Sequence, residues 1–384
     1  MERLVKQYPA DMEARIFYAL SANQTALTTD KKYSQQLKAA AILEPLFKEH
    51  PKHPGLAHYI IHAYDHPPLA EKALQAARSY ASLAPSVPHA LHMPSHTFTR
   101  VGLWKESIET NRRSAEAARK EKATSEELHA MDYQTYGYLQ IARDSDARRM
   151  VDEAQAAGAR LDVNATGVAA PGTAGVYATA AIPARYALER GAWAEAAALP
   201  ARQSTLPYAD AVIHFARALG AARSGNPKAA AGDIEKLGAL RDALKASQDA
   251  YWTEQVEIQR QIAVAWVTFA EGDRARGIEL LRAAAQAEDG TDKSAISPGP
   301  LAPARELLGD MLLEAGRPAE ALKEFEATTK KEPNRFRGLY GAGRAAEAAG
   351  QRARAVQFYK QLLQVASEPD TKRPELEHAR SSIR

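Results

Sequence analysis

Residues 307–360 read LLGDMLLEAGRPAEALKEFEATTKKEPNRFRGLYGAGRAAEAAGQRARAVQFYK, and one spacing organises the whole stretch. Gly309 and Gly343 stand 34 residues apart, as do Gly316 and Gly350, Ala321 and Ala355, and Phe325 and Tyr359. Self-similarity at such a period marks stacked supersecondary units, each unable to bury its apolar face alone. Small residues let paired helices approach, and the aromatic fills the gap between repeats. Pro333 ends a helix because it cannot donate the next backbone hydrogen bond.

The same register runs backwards through the chain. Pro51 and Pro85 are also 34 apart and close two helices, and Pro9 closes an earlier one. Counting from these closures, the first helix of each pair is expected to start near Met12, Pro54, Pro88, Leu128, Tyr177, Ala211, Ile258, Ala302 and Phe336. The expected fold class is therefore all-α: an α-solenoid of about nine helix pairs over residues 1–384, with no second domain. Residues 302–367 hold the two most regular repeats, and 54–142 the histidine-rich ones. Residues 1–9 read as the remnant of a preceding repeat, and 374–384 as a polar cap. Three spacings are stretched, at 25–32, 161–172 and 287–300; the last, rich in Gly, Pro and Ser, reads as an inserted loop.

Composition agrees with helix. Alanine, the best helix former, is abundant, and β-branched runs of strand length are nearly absent. Fifty basic and 47 acidic residues leave a net charge of only +3, without the basic block of a nucleic-acid binder. No cysteine is present, which excludes disulfides and thiolate-ligated metals. No apolar stretch approaches a membrane span, which takes roughly 18 residues or more, and 1–9 is not a signal peptide. The chain as given thus reads as a soluble cytoplasmic protein, or a periplasmic one if a signal was removed. The glycines of residues 167–175 lack the Lys-Ser/Thr of a phosphate loop, and there is no GxSxG elbow.

Nine of the eleven histidines fall between His50 and His129. Numbered from the expected helix starts, His89 takes position 2, His58 and His92 position 5, and His62 and His96 position 9. Asp65 and Thr99 take position 12, and His66 and Arg100 position 13. The next repeat offers His129, Asp132 and Tyr136 at positions 2, 5 and 9. Spacings of three and four place these side chains on one helical stripe, while Ala57, Ile61 and Tyr64 mark the apolar stripe beside it. Histidines at i and i+4 can share a cation, as in helical zinc motifs. His58, His62, His92, His96, His129 and Asp132 are the candidate metal ligands. Imidazole suits zinc, copper, iron or nickel, and carboxylate extends the choice to manganese.

Leu308-Gly309, Ala321, Phe325 and Pro333 resemble the tetratricopeptide-repeat (TPR) pattern of small and large residues. That resemblance implies a right-handed superhelix and places the histidine stripe on the concave, ligand-binding face. The segments YIIHAYDHPPLA and PHALHMPSHTFTRVGLW further resemble a group of bacterial TPR proteins for which no activity is implied. Asp65, His66, His89, Arg100, Tyr136 and Arg185 are then the expected contacts to a peptide or small molecule.

Two functional readings lead, beside a third, a structural role within a larger assembly. One is a scaffold holding transition metal and a ligand; if an enzyme, it is a metal-dependent hydrolase or oxidoreductase. The other is a metal-free protein–protein adaptor. Adaptor grooves usually carry repeated Lys and Asn clamps, and here only Asn23 and Gln24 occupy the corresponding stripe. Glu306 and Asp310 read as solvated charge, Trp266 as a packing or ligand-stacking residue, and His214 as structural.

Overall fold

The computed structural model describes residues 1–27, 30–166 and 169–384. Parts of the stretched spacings at 25–32 and 161–172, and Gly167 of the phosphate-loop candidate, lie outside the described residues. All regular structure among these residues is helical, and none of the helices is long and apolar enough to cross a membrane. The chain divides into two compact units, residues 1–123 and 124–384, each a solenoid of successively packed helix pairs.

In the first unit α1 (Glu2–Gln7) precedes the pair α2 (Met12–Gln24) and α3 (Ser34–Glu49). Next come α4 (Pro54–Ala63) with α5 (Leu74–Leu83), then α6 (Pro88–His92) and α7 (Pro94–Arg100) with α8 (Trp104–Glu121). Local chemistry sets the starts. Asp11 accepts from the Ala14 amide, and the His53 ring accepts from the Leu56 amide with Pro54 at the first helical position. Ile16, Leu43, Leu56, Ile60 and Ile61 are the heart of a core continued by the apolar stripe residues Ala57 and Tyr64. Pro94 has no amide proton, so the helix carrying His89 to Arg100 is broken at Met93 into α6 and α7.

Six pairs follow in the second unit, among the described residues. They are α9 (Thr124–Gln140) with α10 (Asp144–Gly158), α11 (Gly172–Glu189) with α12 (Trp193–Ala197), and α13 (Pro207–Arg223) with α14 (Ala231–Ala246). The rest are α15 (Ala250–Ala270) with α16 (Arg274–Asp289), α17 (Ala304–Glu314) with α18 (Pro318–Lys331), and α19 (Phe336–Ala348) with α20 (Arg352–Val365). A final helix, α21 (Pro374–Ser382), packs on α20. The small–large pattern has a steric basis: a Cβ at Gly309 or Gly341 would collide with the Phe325 ring, and one at Gly343 with Tyr359. Gly316 and Gly350 share the same left-handed φ of 73° in equivalent turns, a conformation glycine adopts without strain.

Expected and observed helix starts agree at Met12, Pro54, Pro88 and Phe336, and within two residues at Ala304. Helices α9, α11, α13 and α15 begin four to eight residues ahead of Leu128, Tyr177, Ala211 and Ile258. Local signals fix those earlier starts, such as Pro207 at the first position of α13 and Asp249 capping α15.

The second unit closes on itself. Asp370, between α20 and α21, accepts from the Ser145 and Asp146 amides at 3.1 Å each, capping α10. Arg373 donates from Nε to Asp144 at 2.9 Å, and the Phe336 amide donates to Gln140 at 3.0 Å. The loop at 290–303 folds against α9 and α11: Ser297 receives hydrogen bonds from Tyr133, Tyr177 and Arg185.

Candidate metal centre

Three helices of the first unit bring five imidazoles together. His58 and His62 lie one turn apart on α4, His89 and His92 on α6, and His96 on α7. His58 is the middle of one group, its Nε2 lying 3.0 Å from His62 Nε2 and 3.3 Å from His89 Nε2. The ligand atoms of these three residues all fall within 4.8 Å of one another. Nitrogens about 2.0–2.1 Å from a zinc ion in tetrahedral geometry lie about 3.3 Å apart, so the spacing suits a shared cation. The His58 ring is sandwiched by stacking on Tyr59 and Tyr80 at 5.3 Å each, which fixes its plane. Burial, then repulsion from His62 and His89, lowers the His58 pKa to about 2; burial, then His62, lowers that of His89 to about 4. Both are neutral near pH 7, the state in which imidazole binds metal.

The second group is His92 and His96, each only 3% exposed, with their Nε2 atoms 3.0 Å apart. His96 Nδ1 faces Asp65 Oδ2 at 2.9 Å, and Arg100 Nε donates to the other oxygen of that carboxylate at 2.9 Å. Arg100 also donates to the Asp65 carbonyl at 3.0 Å, so carboxylate and guanidinium neutralise each other. His92 Nδ1 lies 2.7 Å from Asn111 Oδ1. The amide nitrogen of Asn111 donates to the Ser107 carbonyl, which turns Oδ1 towards the ring as an acceptor. Hydrogen bonds of this kind behind a histidine orient metal ligands and fix their tautomer. The two groups are neighbours: ring centroids of His62 and His96 lie 6.4 Å apart, and those of His89 and His92 6.5 Å.

The His66 ring, after α4, lies tilted against Tyr33 with centroids 4.7 Å apart and is 3.5 Å from the Gln36 side-chain nitrogen. His129, Asp132 and Tyr136 belong to α9 of the second unit, where His129 is buried edge-on to Tyr133. Asp132 is fully buried and accepts from Arg185 Nε at 2.8 Å. The other donors of Arg185 go to Ser297 and to the Gly299 and Pro300 carbonyls of the 290–303 loop. Tyr136 accepts from Arg335, which also pairs with Glu189 and Glu306. Glu306 and Asp310 are thus not solvated: Glu306 is 1% exposed, and Asp310 pairs with Arg223 and Arg337. Closure of the second unit turns this stripe inward, where charge survives only when paired. Trp266 is buried in the core with Arg223 over its ring, and His214 is buried beside Asp233 at 2.7 Å.

Two contributors escaped the sequence reading, Asn111 behind His92 and Tyr80 against His58. A polar residue of low helix propensity on the buried face of α8 was the one available signal for Asn111.

No protein-family model and no curated protein matches the chain. Among solved structures it is similar to the P58(IPK) TPR domain, with 16% identity over 96% of this chain and 98% of that one and a TM-score of 0.29. It is also similar to a chain of the APC/C hetero-tetramer Cut9–Hcn1, with 10% identity, coverage of 96% and 84%, and a TM-score of 0.31. The fold assignment stands on the helix pairs described above.

Proposed function

We propose that the first unit is a TPR-like scaffold that binds a transition metal through His58, His62 and His89. One observation carries this reading: the Nε2 atoms of His62 and His89, from two helices, converge on that of His58 at 3.0 and 3.3 Å. An all-imidazole set favours zinc, copper, nickel or iron over manganese, since the nearby Asp65 carboxylate is already engaged by Arg100 and His96. Three protein ligands leave a tetrahedral ion one position for water or a bound molecule, the arrangement of catalytic rather than closed structural sites. A metal there would lower the pKa of a bound water and polarise a carbonyl or phosphoryl oxygen, which makes metal-assisted hydrolysis the reaction class best suited to it.

The metal-free adaptor is the weaker reading. Arg185 and Arg335, two cations of the second unit's inner stripe, are fully buried in bonds to the chain's own carboxylates and carbonyls. Elemental analysis of protein made without a histidine tag tests the proposal. Near-stoichiometric metal that is lost in His58→Ala supports it. Metal-free protein that also fails to bind added zinc, copper or nickel overturns it.

A further inference from the structure

We propose that Glu288 makes the 290–303 loop of the second unit a pH-responsive latch, held closed while its carboxyl carries a proton and released more readily once the proton leaves. The loop is the segment that supplies Ser297, Gly299 and Pro300 to the buried Arg185. Its release therefore uncovers the Arg185–Asp132 pair inside the unit.

Glu288 is the last residue but one of α16 and grips both ends of the loop. At the near end its carbonyl accepts from the Thr291 amide at 3.0 Å and from the Thr291 hydroxyl at 2.9 Å. At the far end its carboxylate accepts from the amide of Ala304, the first residue of α17, at 2.8 Å. Among the described residues that carboxylate is bonded to this amide and to no Lys or Arg. The cations nearby are engaged otherwise. Lys331 reaches the Glu288 carbonyl at 3.4 Å and Asp289 at 4.0 Å, while Arg305 donates to Asp289 at 2.7 Å and also to Glu324.

An ionised Glu288 is thus withdrawn from water with one amide to face it, beside the negative charges of Asp289 and the buried Glu332. Burial, helped by those two charges, outweighs the pull of Lys331 and of the Ala304 amide and raises the Glu288 pKa to about 7. Protonation removes the charge and still leaves a carbonyl oxygen for the Ala304 amide. With the loop released, the carboxyl meets water and returns to the ordinary Glu value of about 4.3. A carboxyl whose pKa is higher in the closed form binds its proton more tightly there. Closure is therefore fully favoured below the ordinary value and weakens as pH rises through about 7. Between pH 6 and 8 this linkage amounts to about a tenfold rise in opening.

Amide hydrogen exchange of the full-length protein at pH 6, 7 and 8, with intrinsic rates divided out, reads opening at residues 291–303 and at Ala304. In wild type the opening is expected to rise about tenfold across that range. Glu288→Gln, which keeps an accepting oxygen and carries no charge, is expected to hold the loop closed at all three pH values. Glu332→Gln removes one of the like charges and is expected to shrink the rise, because Glu288 then ionises at lower pH. It decides the matter should Glu288→Gln fail to fold, an undiminished rise counting against the latch. A flat wild-type profile, the same rise in Glu288→Gln, or a rise shared equally by the amides of α13 overturns the proposal.

Discussion

The inner stripes of the two units are built from opposite materials. In the first unit, imidazoles face one another at 3.0–3.3 Å, and the Asp65 carboxylate beside them is paired with Arg100. In the second unit the stripe is a closed set of ion pairs, with Arg335 between Glu189 and Glu306, Arg185 on Asp132, and Asp310 between Arg223 and Arg337. One stripe converges ring nitrogens. The other supplies a guanidinium for its carboxylates. The same helix-pair architecture therefore carries clustered imidazoles in one unit and paired buried charges in the other.

The comparison is most exposed at Arg335. Its side chain is fully buried, and Arg335→Ala would strand Glu189 and Glu306 in a space of 1% exposure each. Breaking a buried pair in this way costs about 3–5 kcal/mol. Urea unfolding followed through Trp193, Trp252 and Trp266, all in the second unit, should show that loss, and adding Glu189→Gln and Glu306→Gln should recover part of it. A midpoint unmoved by Arg335→Ala would mean that the network is solvated, and the contrast would fail.

For the first unit the matching measurement is ligand-linked stability. Zinc at about 100 times its dissociation constant should stabilise the unit that binds it by about 2.7 kcal/mol. Trp104, the first unit's own tryptophan, reports on it. The second unit's signals should move little in the same titration. Equal shifts in both would show that the metal does not discriminate between the stripes.

Much of the solenoid was legible because a repeat writes its neighbours into the sequence. The period of 34 located α19 at Phe336 and α17 within two residues, and glycines facing Phe325 and Tyr359 explain why it is kept. It also aligned His58 with His92 and His62 with His96, and those i, i+4 pairs do meet through Nε2. What a period cannot show is closure. Arg335 reaches Glu189 across 146 residues and Tyr136 across 199, so Glu306 and Asp310 read as solvated charge until the second unit is seen to return on itself. Helix starts were missed where capping outran the signature residues, as at Ala250. Asn111 was missed because it faces His92 from the other helix of the pair.

Acid should separate stripe chemistry further. Burial alone would raise the carboxyl pKa of Asp144 and Asp310, but Arg373 for the first, and Arg337 and Arg223 for the second, outweigh it and hold both below the ordinary Asp range. A carboxylate with a depressed folded-state pKa contributes stability that is present above its unfolded value, near 3.9, and is lost as pH falls through the folded one. These two pairs should therefore hold their contribution to second-unit stability from neutral pH down to about pH 4 and lose it below. Arg373→Met should bring the acid transition to higher pH. A second-unit transition centred well above pH 4 would show that these pairs do not govern its acid stability.

The smallest effect concerns the polar clasp that closes the second unit. Asp370 accepts from two successive amides, Ser145 and Asp146, at the first turn of α10, and its own amide donates to the Ala142 carbonyl at 3.2 Å. It thus does the work of a helix cap from 225 residues away in the chain. Replacing such a cap by alanine costs about 1 kcal/mol, whereas asparagine retains an accepting oxygen and should cost less. Asp370→Ala is accordingly expected to lower second-unit stability by about 1 kcal/mol, with Asp370→Asn in between. Amide exchange at Ser145 and Asp146 should rise in the alanine variant, because both donors lose their acceptor while the rest of α10 stays bonded. Unchanged exchange at those two amides would mean that the closure is held by Arg373 and the apolar packing of α21 alone.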